Sequence, residues 1–136
     1  MNIYIAYKYR LVSDKGALKS ELQALSEYLL QKGHKPFILG RDVQKWQEHG
    51  YSKVKTFVDI VKHIGKNQVL LVYINSDARS NGIPVEFALS RLLGLKTIVA
   101  RHAKLHKSHL ENFAHRTIIF TDLPELYKSL EDCKIL

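Results

Sequence analysis

The residues best placed to do chemistry lie in Ser80-Asn81-Gly82-Ile83-Pro84-Val85-Glu86, between an apolar run, Val69 to Ile74, and a helix-like segment, Phe87 to Gly94. Pro84 suits a first helical position, where its missing N–H costs nothing and its φ is preset. Glu86 then falls in the first helical turn at the carboxyl end of a strand, where open α/β sheets bind ligands. The positive helix end would keep this carboxylate ionised, as nucleophilic or oxocarbenium-stabilising work beside a sugar requires. Ordinary helix capping favours a Glu there as well, so both readings stay open. Ser80, Asn81, the backbone N–H groups that open the helix near Gly82 and an Arg fork would together hold a phosphate, the competing reading being a polar turn.

Positioning these groups requires the rest of the chain. Val69 to Ile74 is continuously apolar, as in a central strand covered on both faces. Asn2 to Tyr7 reads as the first strand and Lys8 to Gly16 as a polar loop. Leu18, Leu22, Leu25 and Leu29 make the stripe of a helix from Ala17 to Lys32, stopped by Gly33. Pro36 to Leu39 reads as a short second strand closed by Gly40. Arg41 to Gly50, with Trp46, reads as a loop or short helix that either covers a site or carries a half-buried aromatic. Val54, Phe57, Val58, Val61 and Ile64 stripe a helix from Tyr51 to Ile64. Lys96 to Ala100 and Thr117 to Phe120 follow as strands, and Thr121-Asp122 caps a last helix.

Strands and helices alternating five times predict an α/β fold: one flavodoxin-like domain spanning residues 1–136, with a five-stranded parallel sheet in the order 2-1-3-4-5 and helices on both faces. The loop after strand one then faces the loop after strand three. Lys8, Tyr9 and Arg10 would form one wall of the cleft and Asn75 to Glu86 the other.

Composition narrows the function classes. The chain has 136 residues, 46% of them hydrophobic, a net charge of +8 and one Cys, Cys133. That rules out a disulfide framework and a Cys-based zinc site, and suits an anionic ligand. The lysines are scattered and no helix-turn-helix, zinc-finger or RNA-binding signature is present, so nucleic-acid binding rests on basicity alone and is disfavoured. His102 and His106, spaced i and i+4, would share a helical face without a carboxylate or Cys at ligand spacing, so a solvated face is expected rather than a metal site. No dinucleotide fingerprint, Walker motif or nucleophile elbow appears, and no cofactor is expected. The absence of a long apolar segment and of a signal-like start predicts a soluble, cytoplasmic protein with no membrane association.

Tyr4-Ile5-Ala6 followed by Gly82-Ile83-Pro84-Val85-Glu86-Phe87-Ala88-Leu89-Ser90 resembles the nucleoside 2-deoxyribosyltransferase family and its relatives, the nucleoside 5′-monophosphate N-glycosidases. The likeness covers most of the chain in order of elements and rests on two motifs. It implies that Glu86 attacks the anomeric carbon and that Ser80 and Arg10 hold a 5′-phosphate. An Asp is usual in place of Ser80 in the deoxyribosyltransferase branch, so the resemblance leans toward a monophosphate substrate. Tyr7 stands where the family has a small residue beside the substrate, and Gln68 where it has an Asp near the base, with Asp59 as a substitute carboxylate. Homodimers whose neighbouring subunits complete the site are also implied. The layout is similar to TIR domains as well, whose enzymatic members cleave the glycosidic bond of NAD with a Glu. Both relatives break N-glycosidic bonds. The alternative is a catalytically inactive nucleotide-sensing or interaction module.

Overall fold

The strand β3 (Val69–Ile74) is buried along its whole length, because it lies between β1 (Asn2–Tyr7) and β4 (Lys96–His102) and is covered on both faces. With β2 (Lys35–Phe37) beside β1 and β5 (Arg116–Phe120) beside β4, the computed structural model has an all-parallel sheet in the order β2-β1-β3-β4-β5. It describes residues 1–9, 12–46, 52–78 and 82–136. The helices are α1 (Lys15–Gln31), a short α2 (Leu39–Asp42), α3 (Lys53–Ile64), α4 (Gly82–Leu92) and α5 (Leu123–Glu131), with a 3₁₀ turn at His109–Asn112. Neighbours across β1 and β3 are in register, Tyr4 with Leu70, Ala6 with Val72 and Tyr7 with Tyr73.

Because side chains alternate along a strand, each strand contributes to two cores. Ile3, Ile5, Val69, Leu71 and Tyr73 pack under α1 and α5 with Leu22, Leu25, Leu29, Leu126 and Leu130. Tyr4, Ala6, Leu70 and Val72 pack under α3 and α4 with Ile60, Ile64, Ile83 and Phe87. Asp122 caps α5 as expected, accepting from the Glu125 N–H at 2.9 Å, and α1 starts two residues earlier than its leucine stripe predicts because Asp14 accepts from the Ala17 N–H at 2.9 Å. Gly33 ends the α1 segment at φ 84, a conformation that other residues adopt only at a cost.

Four readings of the sequence are corrected. The second strand stops at Phe37, because Leu39 and Gly40 belong to α2, where the Asp42 carboxylate accepts from the Ile38 N–H at 2.9 Å and turns the chain out of the sheet. His102 ends β4 and His106 lies in the turn beyond it, so the two share no helical face. Among the described residues no three His, Cys, Asp or Glu side chains converge as a metal would need. Pro84 is the third residue of α4 rather than its first.

The stripe on α3 is the fourth. Ile60 and Ile64 face the sheet, whereas Val54, Phe57, Val58 and Val61 are 74%, 49%, 55% and 45% exposed. No described helix is long and apolar enough to cross a membrane.

Trp46 is half-buried against Tyr7 and Tyr9, with ring centroids 6.0 and 5.5 Å away. To deliver the indole, Lys45 and Trp46 take φ values of 52 and 59, a left-handed conformation that L side chains resist. The Lys19 ammonium lies 5.4 Å from the Trp46 ring centroid. Gly40 makes this packing possible: its N–H donates to the Tyr7 hydroxyl at 2.8 Å, and a Cβ there would run into that hydroxyl and the indole ring. Gly40→Ala is therefore expected to cost about 1–3 kcal/mol as an overpacking change. Thermal denaturation should show the loss and the fluorescence of Trp46, the chain's single Trp, should shift; an unchanged melting temperature and spectrum would show that the ring cluster rearranges freely.

Candidate active site

Glu86 lies on the sheet-facing side of α4, with Ile83, Phe87 and Ser90 as its buried companions, and is 7% exposed. It is the fifth residue of the helix rather than a first-turn residue. Helical side chains lean toward the N-terminus, and the Glu86 carboxylate folds back over the first turn, with Oε1 3.7 Å from where a Cβ on Gly82 would stand. Gly82 thus gives the carboxylate open backbone to lie against. Burial dominates its electrostatics: desolvation pushes the Glu86 carboxyl up to about 7, opposed by the Tyr4 hydroxyl. The expectation that the helix end alone keeps it ionised is overturned, because the charge sits a turn inside a dry interface.

One further polar group meets Glu86 on this face of the sheet, and a second carboxylate lies within electrostatic reach of that group. Tyr4 lies at the centre of β1 and is fully buried, and its hydroxyl makes no hydrogen bond although Glu86 is the first charge it faces. Burial and then the Glu86 charge hold the Tyr4 phenol strongly in its neutral form. Asp59, on α3, is the other carboxylate whose charge reaches Tyr4, and its Oδ2 is buried without a hydrogen-bond partner. Buried polar atoms are ordinarily paired. A nucleophile-capable carboxylate, a neutral hydroxyl and a second carboxylate, with two of the three holding an unpaired atom, are equipped to receive a polar ligand and move a proton.

The structure treats the other residues singled out from the sequence differently, and of these the Tyr7 phenol still feels the Glu86 charge, which adds to burial in holding it neutral. Gln68 precedes β3 and accepts from the Asn2 N–H at 3.0 Å, at the amino edge of the sheet. Six residues of β3, on the order of 20 Å, lie between it and the edge where α4 begins. The structure does not bring it to Glu86. Tyr7 alternates away from Tyr4 and Ala6, packs against the α1 core and spends its hydroxyl on Gly40; the small residue on the Glu86 face is Ala6. Arg10, Ser80 and Asn81 lie outside the described residues.

Sequence reasoning assigned no role to Tyr4. The signal was its parity with Ala6 on β1, which places it on the α4 face once the direction of the sheet is known. A cavity of ≈ 550 Å³ also opens at the carboxyl edge, between α1, the loop after β1, the end of β3 and the turn after β4. Its walls are the two predicted for the cleft, Lys8 and Asp14 on one side and Asn75 to Asp77 on the other, but Glu86 is not among the residues lining it.

No protein-family model matches the chain, and no curated protein matches it by sequence. Solved structures do match it over nearly its full length. The CMP N-glycosidase BcmB of Clostridium botulinum superposes with a TM-score of 0.70 at 14% identity, covering 98% of this chain and 100% of its own. A 2-deoxyribosyltransferase from Bacillus psychrosaccharolyticus gives 0.68 at 20% identity over 98% of this chain and 93% of its own. A conserved protein from Enterococcus faecalis V583 gives 0.64 at 8% identity, over 96% and 97%. At these identities the likeness establishes the common flavodoxin-like fold.

Proposed function

We propose that this chain is an enzyme that cleaves or transfers at the N-glycosidic bond of a nucleotide or nucleoside, with Glu86 as nucleophile and a 5′-monophosphate as the favoured substrate. The observation that carries the reading is the buried Glu86 carboxylate facing the unpaired Tyr4 hydroxyl, with the unpaired Oδ2 of Asp59 on the same side of the sheet. The full-length likeness to a CMP N-glycosidase and a 2-deoxyribosyltransferase supports it.

In the reaction, a Glu86 oxygen bonds to the anomeric carbon as the C–N bond breaks, and the bonding pair departs on the base nitrogen. The base needs a proton, a role we assign to Asp59, whose Oδ2 is buried without a partner. Water, or the nitrogen of a second base, then attacks the anomeric carbon and returns Glu86 as the carboxylate. The Tyr4 hydroxyl faces Glu86 and lowers its pKa. Ser80 and Arg10, with the Asn81 and Gly82 N–H groups, are assigned to the phosphate on the strength of their motif positions. Incubation with a panel of ribo- and deoxyribonucleoside monophosphates and detection of free base tests the reading.

The same proposal includes a homodimer. Leu92 and Leu93 of the α4 segment are 83% and 53% exposed, and α4 packs beside α3, so the apolar residues of both helices lie uncovered on one side of the molecule. Patches of this kind mark association surfaces, and a second copy presents the same self-complementary face. Sedimentation should show a dimer for the native chain and a monomer for Val58→Lys. At a position so exposed, a monomer would lose no more than about 0.5 kcal/mol from the substitution. A native chain that stays monomeric at every concentration would remove the dimer from the proposal.

A further inference from the structure

The amino edge of the sheet, opposite the edge where α4 begins, gathers cations that lie far apart in the sequence. Parallel strands all start on one edge, and the helices that cross back between them end there. The Lys35 N–H donates to the Met1 carbonyl at 2.8 Å, the Gln68 N–H to the Asn2 carbonyl at 2.9 Å and the Lys96 N–H to the Gln68 carbonyl at 3.0 Å. The starts of β2, β1, β3 and β4 therefore stand abreast. β5 begins beside them, with the His115 N–H on the Thr97 carbonyl at 3.0 Å, and its first residue is Arg116. Four strand intervals of about 4.8 Å make the row roughly 20 Å long. Lys62 in the last turn of α3, Lys66 just beyond it and Arg91 in the last turn of α4 flank the row on one side.

Lys35, Lys62, Lys66, Arg91, Lys96 and Arg116 are all exposed, and among the described residues none of them is in an ion pair. Cations at helix ends are ordinary, because the negative end of the helix dipole favours them. Strands have almost no such dipole, so Lys35, Lys96 and Arg116 need another reason. Burial keeps the His63 and His115 imidazoles below their usual pKa, and cations lower them further, Lys66 and Lys62 at His63 against Asp59, and Lys96 and Arg91 at His115. These cations are thus close enough to act together. On the other side of the row Lys32 is neutralised by Glu131 at 2.9 Å, which confines the positive charge to a stripe. Gln68 lies within it: its Oε1 accepts from the Asn2 N–H at 3.0 Å, which leaves its amide nitrogen as a further donor.

We propose that this edge binds the sugar–phosphate backbone of a nucleic-acid strand, without reading its sequence, on a surface separate from the Glu86 site. At a rise of about 3.4 Å per nucleotide, the row spans about six phosphates of one strand. Lys and Arg side chains and an amide donor are the groups that hold such phosphates. A stripe of donors follows a strand, whereas a bilayer would meet a plane of charge. Basicity that is scattered in the sequence becomes a surface only through the common start of the strands. The inference stands whether or not Glu86 breaks a glycosidic bond.

The test is fluorescence anisotropy of a 5′-fluorescein-labelled single-stranded RNA of about twelve nucleotides, titrated with the full chain at a series of salt concentrations. Log affinity should fall with log salt at a slope of about −4, at roughly 0.7 per phosphate contact. Lys96→Glu with Arg116→Glu reverses two exposed charges, so the melting temperature should hold, while affinity falls at least about tenfold and the slope shrinks by more than about one. Lys104→Glu with Lys107→Glu makes the same change in net charge beyond the other end of β4, and should cost less than about threefold. Equal losses in the two double variants would show a response to net charge alone and overturn the proposal. So would no binding at the lowest salt, or binding to vesicles of phosphatidylcholine and phosphatidylserine in preference to the RNA.

Discussion

Glu86→Gln is expected to lower release of free base by about 10³-fold or more, the scale on which removal of a nucleophile acts. Gln keeps the volume of the side chain, so Ile83 and Phe87 should keep their places in the core. It cannot form the glycosyl ester or carry the charge that steadies an oxocarbenium ion. Asp59 does not substitute for it, being held on a different helix. The native rate should depend on pH in a definite direction. With its pKa near 7, Glu86 is increasingly protonated below neutrality, and kcat/KM should fall about tenfold per pH unit there and level off above it. Tyr4→Phe removes the group that opposes the rise and should move that limb to higher pH. Equal base release by native and Glu86→Gln protein, or no release from any monophosphate in the panel, would sink the assignment.

The second large effect is on stability. Burial raises the Glu86 carboxyl from 4.5 to about 7, so between these values the folded chain holds a proton that the unfolded chain has released. Its contribution is fully present below about pH 4.5 and is lost as pH rises through 7. At about 1.4 kcal/mol per pH unit, the loss is on the order of 3 kcal/mol. Glu86→Gln does not titrate and should escape it. The variant and the native chain should melt together near pH 4.5, and at pH 8 the variant should melt higher by roughly 10 °C, taking a few degrees per kcal/mol at this size. A parallel pair of melting curves from pH 4.5 to 8 would show that the carboxylate is solvated and would leave no basis for the raised pKa. A stabilised but inactive variant is the expected signature of a group kept in a costly place for its chemistry.

How much was legible in advance follows from how local each signal is. The continuous run Val69 to Ile74 is itself a statement about burial on two faces, and the leucine repeat of α1 a statement about one. Capping by Asp122 involves a partner three residues away. The Gly82-to-Glu86 spacing picks out the carboxylate that the structure buries. The α3 stripe was legible as apolar, but not as outward, because periodicity reports a face without saying what covers it. Gln68 was aligned to the site by its place before β3, and only the direction of that strand puts it at the far edge.

What the sequence determined by itself is therefore the element order, and through the handedness of parallel crossovers the sheet order with it, together with Glu86 as the acid at the head of α4. The tertiary structure alone decided which groups surround that acid. Tyr4 sits on β1, 82 positions earlier in the chain, and it reaches Glu86 only because β1 pairs with β3 in a register that puts Tyr4, and not Tyr7, in the core under α4. A shift of one residue would have exchanged the two tyrosines. It would also have left Glu86 facing a different environment, since its pKa is set by what is packed over it rather than by its neighbours in sequence.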